Sequence, residues 1–226
     1  MIITIDGPTA SGKSTVARLL AKQLDYYHLC SGLLFRALAY ILHTRVGYEP
    51  DDFSNEHKDI CKDIDCKYIE YTYDPKTGAH VFYKGVDVTP HLKNKVIDKY
   101  ASLIATNKGI RESLKEFQRS LAKKHNMIVE GRDSGSVVFP DADLKIFLTA
   151  SPEARARRWL TDQKRKGKEY TFEQALMIVN ERDARDKNRK VAPLVVPDGA
   201  VIVENSGMTL EQTVDTIIDL IKKKQK

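Results

Sequence analysis

Gly7-Pro8-Thr9-Ala10-Ser11-Gly12-Lys13-Ser14-Thr15 is the stretch that decides the fold. From Gly7 to Ser14 it fits G-x-x-x-x-G-K-[ST] at every required position. The flanks give the pattern its weight. Met1 to Asp6 reads as a buried strand ending at Gly7. Lys13 to about Asp25 reads as a helix with Val16, Leu19, Leu20 and Leu24 as its apolar stripe. Glycines between a strand and a helix let the backbone wrap a phosphate, whose charge meets unpaired amides and the positive helix end. In that geometry Lys13 reaches the β- and γ-phosphates of ATP, and Ser14 supplies an oxygen to Mg²⁺.

Outward from the loop, strand and helix alternate. Strands are expected at Tyr27 to Cys30, Asn126 to Glu130, Leu144 to Leu148 and Ala200 to Val203. Helices are expected from Gly32 to about Thr44, from Ser151-Pro152-Glu153 onward, and from about Thr209 to Lys222. With the first strand this is an α/β fold, a parallel five-stranded sheet covered on both faces. One stretch breaks the alternation. Cys66 to Tyr73 and His80 to Val88 are β-rich and separated by Asp74-Pro75-Lys76-Thr77-Gly78, which predicts an antiparallel hairpin inserted in the core. Helices near Leu92 to Thr106 and Lys108 to Lys124 follow it.

The 226 residues suit one domain, 42% hydrophobic and 30% charged, which excludes a disordered chain or a disulfide scaffold. The richest apolar run, Leu33 to Leu42, is short and interrupted by Arg36, so no membrane span is expected. With no signal-peptide pattern at Met1 to Ile5, the reading is a cytoplasmic protein. Cys30, Cys61 and Cys66 are odd in number, and reduced thiols explain them better than a metal site with His57. A net charge of +6 suits nucleic acid or an anionic small substrate equally. The absence of interleaved aromatic and basic residues argues against a nucleic-acid platform.

The loop names a phosphate donor and leaves the acceptor open. Arg36 lies on the helix after the second strand, and Glu130-Gly131-Arg132-Asp133 closes the third strand at the carboxyl edge where α/β sheets bind ligands. Arg132 and Asp133 face a ligand there or pair with each other, with Gly131 making room for close approach. Glu130 either holds Mg²⁺ through water or only orients Ser14 or Lys13. From Arg155 to Arg189 the chain is densest in arginine. Arg182, Arg185, Asp186 and Arg189 fall within an arc of roughly 100° on a helix, beside an apolar stripe of Phe172, Ala175 and Val179. Charges bordering a buried side suit a closing flap that carries them towards a ligand; the alternative is a salt-bridged surface helix. No obvious catalytic base accompanies them. A nucleoside monophosphate needs none, because its phosphate, with a second pKa of about 6, is already an anionic nucleophile. A hydroxyl acceptor stays open on these residues alone, as does a nucleotide-binding protein without turnover.

Beyond the loop, the chain resembles bacterial-type cytidylate kinases from end to end. The carrying segments are Ile5-Asp6-Gly7-Pro8, Ser31-Gly32 with Arg36, Gly131-Arg132-Asp133 with Val137-Val138-Phe139-Pro140-Asp141-Ala142, Lys145-Ile146-Phe147-Leu148, and Arg182-Asp183-x-Arg185-Asp186-x-x-Arg189 before Ala192-Pro193-Leu194. The resemblance implies a three-layer P-loop kinase core (1–30, 125–154, 190–226), a monophosphate-binding region with its β-rich insertion (about 31–124) and a helical lid (about 155–189). It implies that Ser31, Arg111 and Asp133 recognise the base and that Arg36 and Arg132 hold the acceptor phosphate. Arg182 and Asp186, with Ser102 nearby, match the sugar contacts, and Arg189 also falls in the acceptor site. Arg155 and Arg158 match lid positions around the ATP phosphates or adenine. The chain departs from the family at Cys30, where Asp is usual, at Phe35 for Tyr, and at Trp159, where another arginine is frequent. The implied reaction is ATP- and Mg²⁺-dependent phosphorylation of CMP and dCMP. No exposed apolar stripe in the sequence demands a partner, so a monomer is expected, with no nucleic-acid or membrane partner.

Overall fold

A computed structural model describes residues 1–54 and 66–225. His57 and Cys61 lie outside them. Strand β1 (Ile2–Asp6) runs up the centre of a five-stranded sheet ordered β2-β6-β1-β7-β8. Here β2 is Tyr27–Cys30, β6 Met127–Gly131, β7 Leu144–Thr149 and β8 Val201–Glu204, and every pairing is parallel. The central runs β1 and β6 are apolar because both their faces are covered, whereas the edge strand β8 is largely exposed. On one face Ile3, Ile5, Ile128 and Ile146 pack with Val16 and Leu20 of α1 (Lys13–Leu24) and Val214, Ile217 and Ile221 of α8 (Leu210–Lys224). On the other, Leu29, Met127 and Val129 meet α2 (Ser31–Ile41), α4 (Lys95–Ile104) and α5 (Lys108–Ala122). Leu20 is fully buried, so Leu20→Ala would cost about 2–5 kcal/mol.

The second strand-rich element is a three-stranded antiparallel sheet of β3 (Ile69–Asp74), β4 (Gly78–Tyr83) and β5 (Val86–Asp87). The Asp74 carboxylate accepts from the Lys76 and Thr77 amides at 2.7 and 2.8 Å and fixes the first turn. The expected run from His80 to Val88 is interrupted: Lys84 and Gly85 both take positive φ, reverse the chain, and make β5 a separate strand. At its start, Cys66–Tyr68 is a 3₁₀ turn, so β3 begins at Ile69. Tyr71 carries the insertion onto the core. Its hydroxyl accepts from the Cys30 amide at 2.9 Å and donates to the His28 carbonyl at 3.1 Å.

The α4 helix starts at Lys95, three residues later than expected, because Asn94 caps it by accepting from the Ile97 amide. A short helix, α3 (Pro50–Ser54), precedes the undescribed stretch. After β7, Ser151 accepts from the Ala154 amide with Pro152 opening α6 (Pro152–Arg165). Helix α7 (Phe172–Asn188) starts with a reciprocal capping pair, Thr171 and Gln174. The pair α6–α7 stands beside the loop after β1, above the carboxyl ends of the sheet strands. No helix among the described residues is long and apolar enough to cross a membrane.

Candidate active site

Between β1 and α1 the chain turns where only glycine fits. Gly7 has φ of +150°, and a Cβ there would lie 2.0 Å from the Leu148 carbonyl oxygen. The buried Lys13 side chain curls back over the loop, its Nζ donating to the Pro8 carbonyl at 2.6 Å and to Ser11 Oγ at 3.2 Å. Burial, then repulsion from Arg132, pulls the Lys13 pKa well below the usual lysine range; Glu130 and Asp6 counter it in part. A bound polyphosphate would supply the missing negative charge.

Ser14 Oγ donates to Glu130 Oε1 at 2.8 Å, joining the first turn of α1 to the end of β6. Burial pushes the Glu130 carboxyl up, but His28, Lys13, Cys30 and Ser14 outweigh it and hold the group below its ordinary value. One hydroxyl and one ionised carboxylate, side by side at the cleft floor, fit a hard cation that keeps most of its waters and is otherwise held by phosphate oxygens. No cluster of three or more His, Cys, Asp or Glu side chains placed to hold a metal occurs among the described residues.

A cleft of about 790 Å³ opens over the loop at the carboxyl ends of β1, β2 and β6. Thr9, Ala10, Gly12, Lys13, Ser14 and Thr15 line one bank, with Arg36, Ser102, Arg132, Arg182, Asp186 and Arg189 around the rest. The expected acceptor arginines therefore converge. Their partners differ. Arg132 Nε donates to Asp186 Oδ2 at 2.7 Å and its NH2 group to Thr9 Oγ1 at 3.2 Å. Arg36 Nε donates to Asp98 Oδ1 at 2.6 Å. Among the described residues no carboxylate pairs with Arg182 at such a distance, although Asp186 and Asp98 act on it from farther away. Burial, then the positive charges of Arg132 and Arg36, pull its pKa down to about 10. A guanidinium crowded by two others beside a phosphate loop is a site that gains by receiving an anion.

Past Arg132 the cleft meets a second cavity of about 330 Å³, and Ser31, Phe35 and Asp133 line both. The buried Asp133 carboxylate is gripped by Arg111 and accepts from Arg189 at 3.2 Å. Arg111 also donates to the Ala105 carbonyl at 2.9 Å, and its guanidinium lies 5.5 Å from the Phe35 ring centroid. Ser31 Oγ donates to the Glu130 carbonyl at 3.0 Å, leaving its lone pairs available. Arg132 and Asp133 do not pair with each other; each has found a partner on another element. Gly131 makes room for protein, since a Cβ there would meet the Ser31 and Ser134 hydroxyls at 2.5 and 2.6 Å.

Two expected site arginines stand apart from the cleft wall. Arg155 is buried, donating to the Ala150 carbonyl at 3.0 Å and the Thr9 carbonyl at 3.1 Å and pairing with Asp183. Asp183 in turn accepts from the Thr9 amide at 2.9 Å. Arg155 thus braces the phosphate loop from behind. Arg158 lies on the outer side of the loop, donating to Asn205 Oδ1 at 2.9 Å and the Asn205 carbonyl at 2.7 Å. Asp183, Asp98 and Asn205 escaped the sequence reading. Asp183 had a signal, one turn before Asp186 on the same helix; Asp98 and Asn205 had none. At Cys30 burial pushes the thiol pKa up, which leaves a neutral group where the resemblance leads one to expect a carboxylate.

Comparison with known proteins follows the same lines. The family model described as Cytidylate kinase matches residues 3–223. A cytidylate kinase of Fervidobacterium nodosum is 38% identical over 222 residues, 98% of this chain and 96% of that protein. One of Bordetella pertussis is 40% identical over 218 residues, 96% and 93% of the two chains. Among solved structures, a shikimate kinase of Bacteroides thetaiotaomicron superposes with a TM-score of 0.50 at 12% identity, covering 98% of both chains, a likeness of fold alone.

Proposed function

The chain belongs to the cytidylate kinase family, and on that premise we propose that it transfers the γ-phosphoryl group of ATP to CMP and dCMP. The observation that carries this reading is the joining of the two cavities at Ser31, Phe35 and Asp133, with Arg36, Arg132 and Arg182 lining the larger of the two. A ligand with an aromatic base and one phosphate spans that distance; the phosphate falls among cations, facing the loop.

In this reading Gly7 to Thr15 bind the ATP phosphates, and Lys13 leaves the Pro8 carbonyl to meet them. Ser31, Arg111 and Asp133 read the base. Arg36 and Arg132 hold the acceptor phosphate, while Arg182, Asp186, Ser102 and Arg189 orient its sugar and phosphate. No group need remove a proton, because the acceptor oxygen is already anionic near neutral pH. The barrier is repulsion between two anions, which fixed cations lower by positioning and charge stabilisation. Ser14 and Glu130 would hold Mg²⁺, which supplies charge neutralisation across the phosphates. Residues 31–124 then form the acceptor-binding region and the α6–α7 pair the lid, with Arg155 and Arg158 at its root. We take the working form to be a cytoplasmic monomer with no nucleic-acid or membrane partner.

A coupled assay with ATP, Mg²⁺ and a panel of CMP, dCMP, UMP, AMP and GMP tests the proposal. CDP and dCDP formation is expected to dominate. Turnover of another monophosphate with CMP and dCMP untouched would overturn the base assignment.

A further inference from the structure

Helix α7 is fastened to the core near its carboxyl end. Asp183 accepts from the Thr9 amide, Asp186 holds Arg132, and the Asp186 carbonyl accepts from the Leu194 amide at 2.8 Å. The opposite end of the helix pair, where α6 turns into α7, carries Tyr170. There Lys95 Nζ donates to Tyr170 Oη at 2.8 Å, with the ammonium 5.5 Å from the ring centroid. Trp159 meets the same ring edge-on, 4.8 Å between centroids and 64° between planes.

Both ends of this contact belong to walls of the cleft. Lys95 opens α4, and Asp98 and Ser102 follow it at helical spacing on the same side. Asp98 holds Arg36, and Ser102 lines the cleft. On α6, Trp159, Asp162, Gln163 and Lys166 recur at the same spacing and line the cleft from the other bank. The sequence Lys95, Tyr170, Trp159 therefore bridges the helix that supports the acceptor arginine and the helix pair that covers it.

We propose that Lys95 and Tyr170 form a latch that holds the α6–α7 pair closed over the cleft and fixes Trp159 at its edge, making the two positioning residues for the acceptor. This rests on reading α6–α7 as the lid and residues 31–124 as the acceptor-binding region. The chemistry suits a reversible catch. A single solvent-exposed hydrogen bond shifts an equilibrium by only about two- to ten-fold, enough to bias closure and too little to trap product.

Trp159 is the single tryptophan, so its fluorescence reports the latch directly. Tyr170→Phe keeps the ring against Trp159 and removes the hydroxyl; Lys95→Met keeps the stem and removes the donor. Both changes are at the surface and should leave the fold intact. Each is expected to increase acrylamide quenching of Trp159 in the free protein and to raise the KM for CMP about two- to ten-fold, leaving the KM for ATP unchanged. The double variant should match Lys95→Met, since both changes remove the same hydrogen bond and Lys95→Met also removes the ammonium from the ring. If either readout stays flat in both single variants, or the double variant shows the product of the two effects, the latch is overturned. Should the wild-type protein leave CMP unphosphorylated, the proposed acceptor fails on its own. The second readout then becomes the dissociation constant of whichever monophosphate the panel identifies, and the quenching arm is unaffected.

Discussion

The hydroxyl of Ser14 donates a 2.8 Å hydrogen bond to Glu130, tying the first turn of the helix after the phosphate loop to the end of the neighbouring strand. Glu130 is buried, yet its carboxyl is held below its ordinary value because His28, Lys13, Cys30 and Ser14 together outweigh desolvation. A carboxylate biased towards its ionised form behind the Ser14 oxygen would raise the affinity of that spot for a divalent cation.

Glu130→Gln keeps an acceptor for Ser14 and removes the charge. The expected outcome is a Mg²⁺ requirement raised roughly ten-fold or more, the range seen when a group supporting a metal ligand is lost. Activity measured against Mg²⁺ concentration at saturating ATP checks it. An unshifted curve would mean that Glu130 only orients Ser14.

Arg182 is expected to serve the acceptor and not ATP. Its guanidinium is crowded by Arg132 and Arg36 in the wall of the larger cleft. Removing one preorganised cation from a transition-state site costs about 10²–10³ in rate, so Arg182→Ala should lower kcat/KM for CMP by that order with the KM for ATP within about two-fold. The pH dependence has a definite sign. With its pKa pulled down to about 10, Arg182 stays charged through neutral and mildly alkaline pH. Its contribution is lost only as the pH rises through that value. Steady-state kinetics with each substrate varied in turn would expose a loss on the ATP side instead.

Much of this architecture was legible before any coordinates. Gly7 to Thr15, the five strands and the arginines of α7 announce themselves because local patterns dictate them: a turn only glycine can make, unbroken apolar runs, charges beside a buried stripe. The small sheet was legible as a hairpin. Its third strand was not, because nothing in composition shows that Lys84 would accept a positive φ. The site residues that went unread are those whose role is a pairing. Asp98 matters because Arg36 lies beside it, and Asn205 because Arg158 does, contacts across 62 and 47 residues. Arg155 shows the converse. The family resemblance implies a ligand role for it around the ATP phosphates or adenine, yet the chain spends it on Asp183 and the loop backbone.

That placement separates two expectations for Arg155. As a buried brace it should cost stability when truncated: Arg155→Met leaves Asp183 charged and unpaired, and breaking such a pair costs about 3–5 kcal/mol. Urea unfolding should show a lowered midpoint at unchanged slope. Full stability with a raised KM for ATP would mark Arg155 as a nucleotide ligand instead.

Asp6 gives the pH dependence of stability its own signature. Burial pushes its carboxyl from an ordinary 3.8 to about 6; the Gly135 and Ser134 amides, which donate to it at 2.6 and 2.9 Å, oppose that rise, and Asp133 adds to it. The folded protein therefore keeps this proton over a range where the unfolded chain has released it. Stability from protonated Asp6 is fully present below about pH 4 and is lost as the pH rises through about 6. A shift of about two units corresponds to roughly 3 kcal/mol. Asp6→Asn removes the titration but sets an amide NH₂ against one of the two backbone donors, so its absolute stability should fall. The informative quantity is the slope. Between pH 4 and 7, denaturant-derived stability of the variant should decline less steeply with pH than that of the wild-type protein. Parallel curves would place the Asp6 carboxyl at its ordinary value, ionised and held by the two amides throughout.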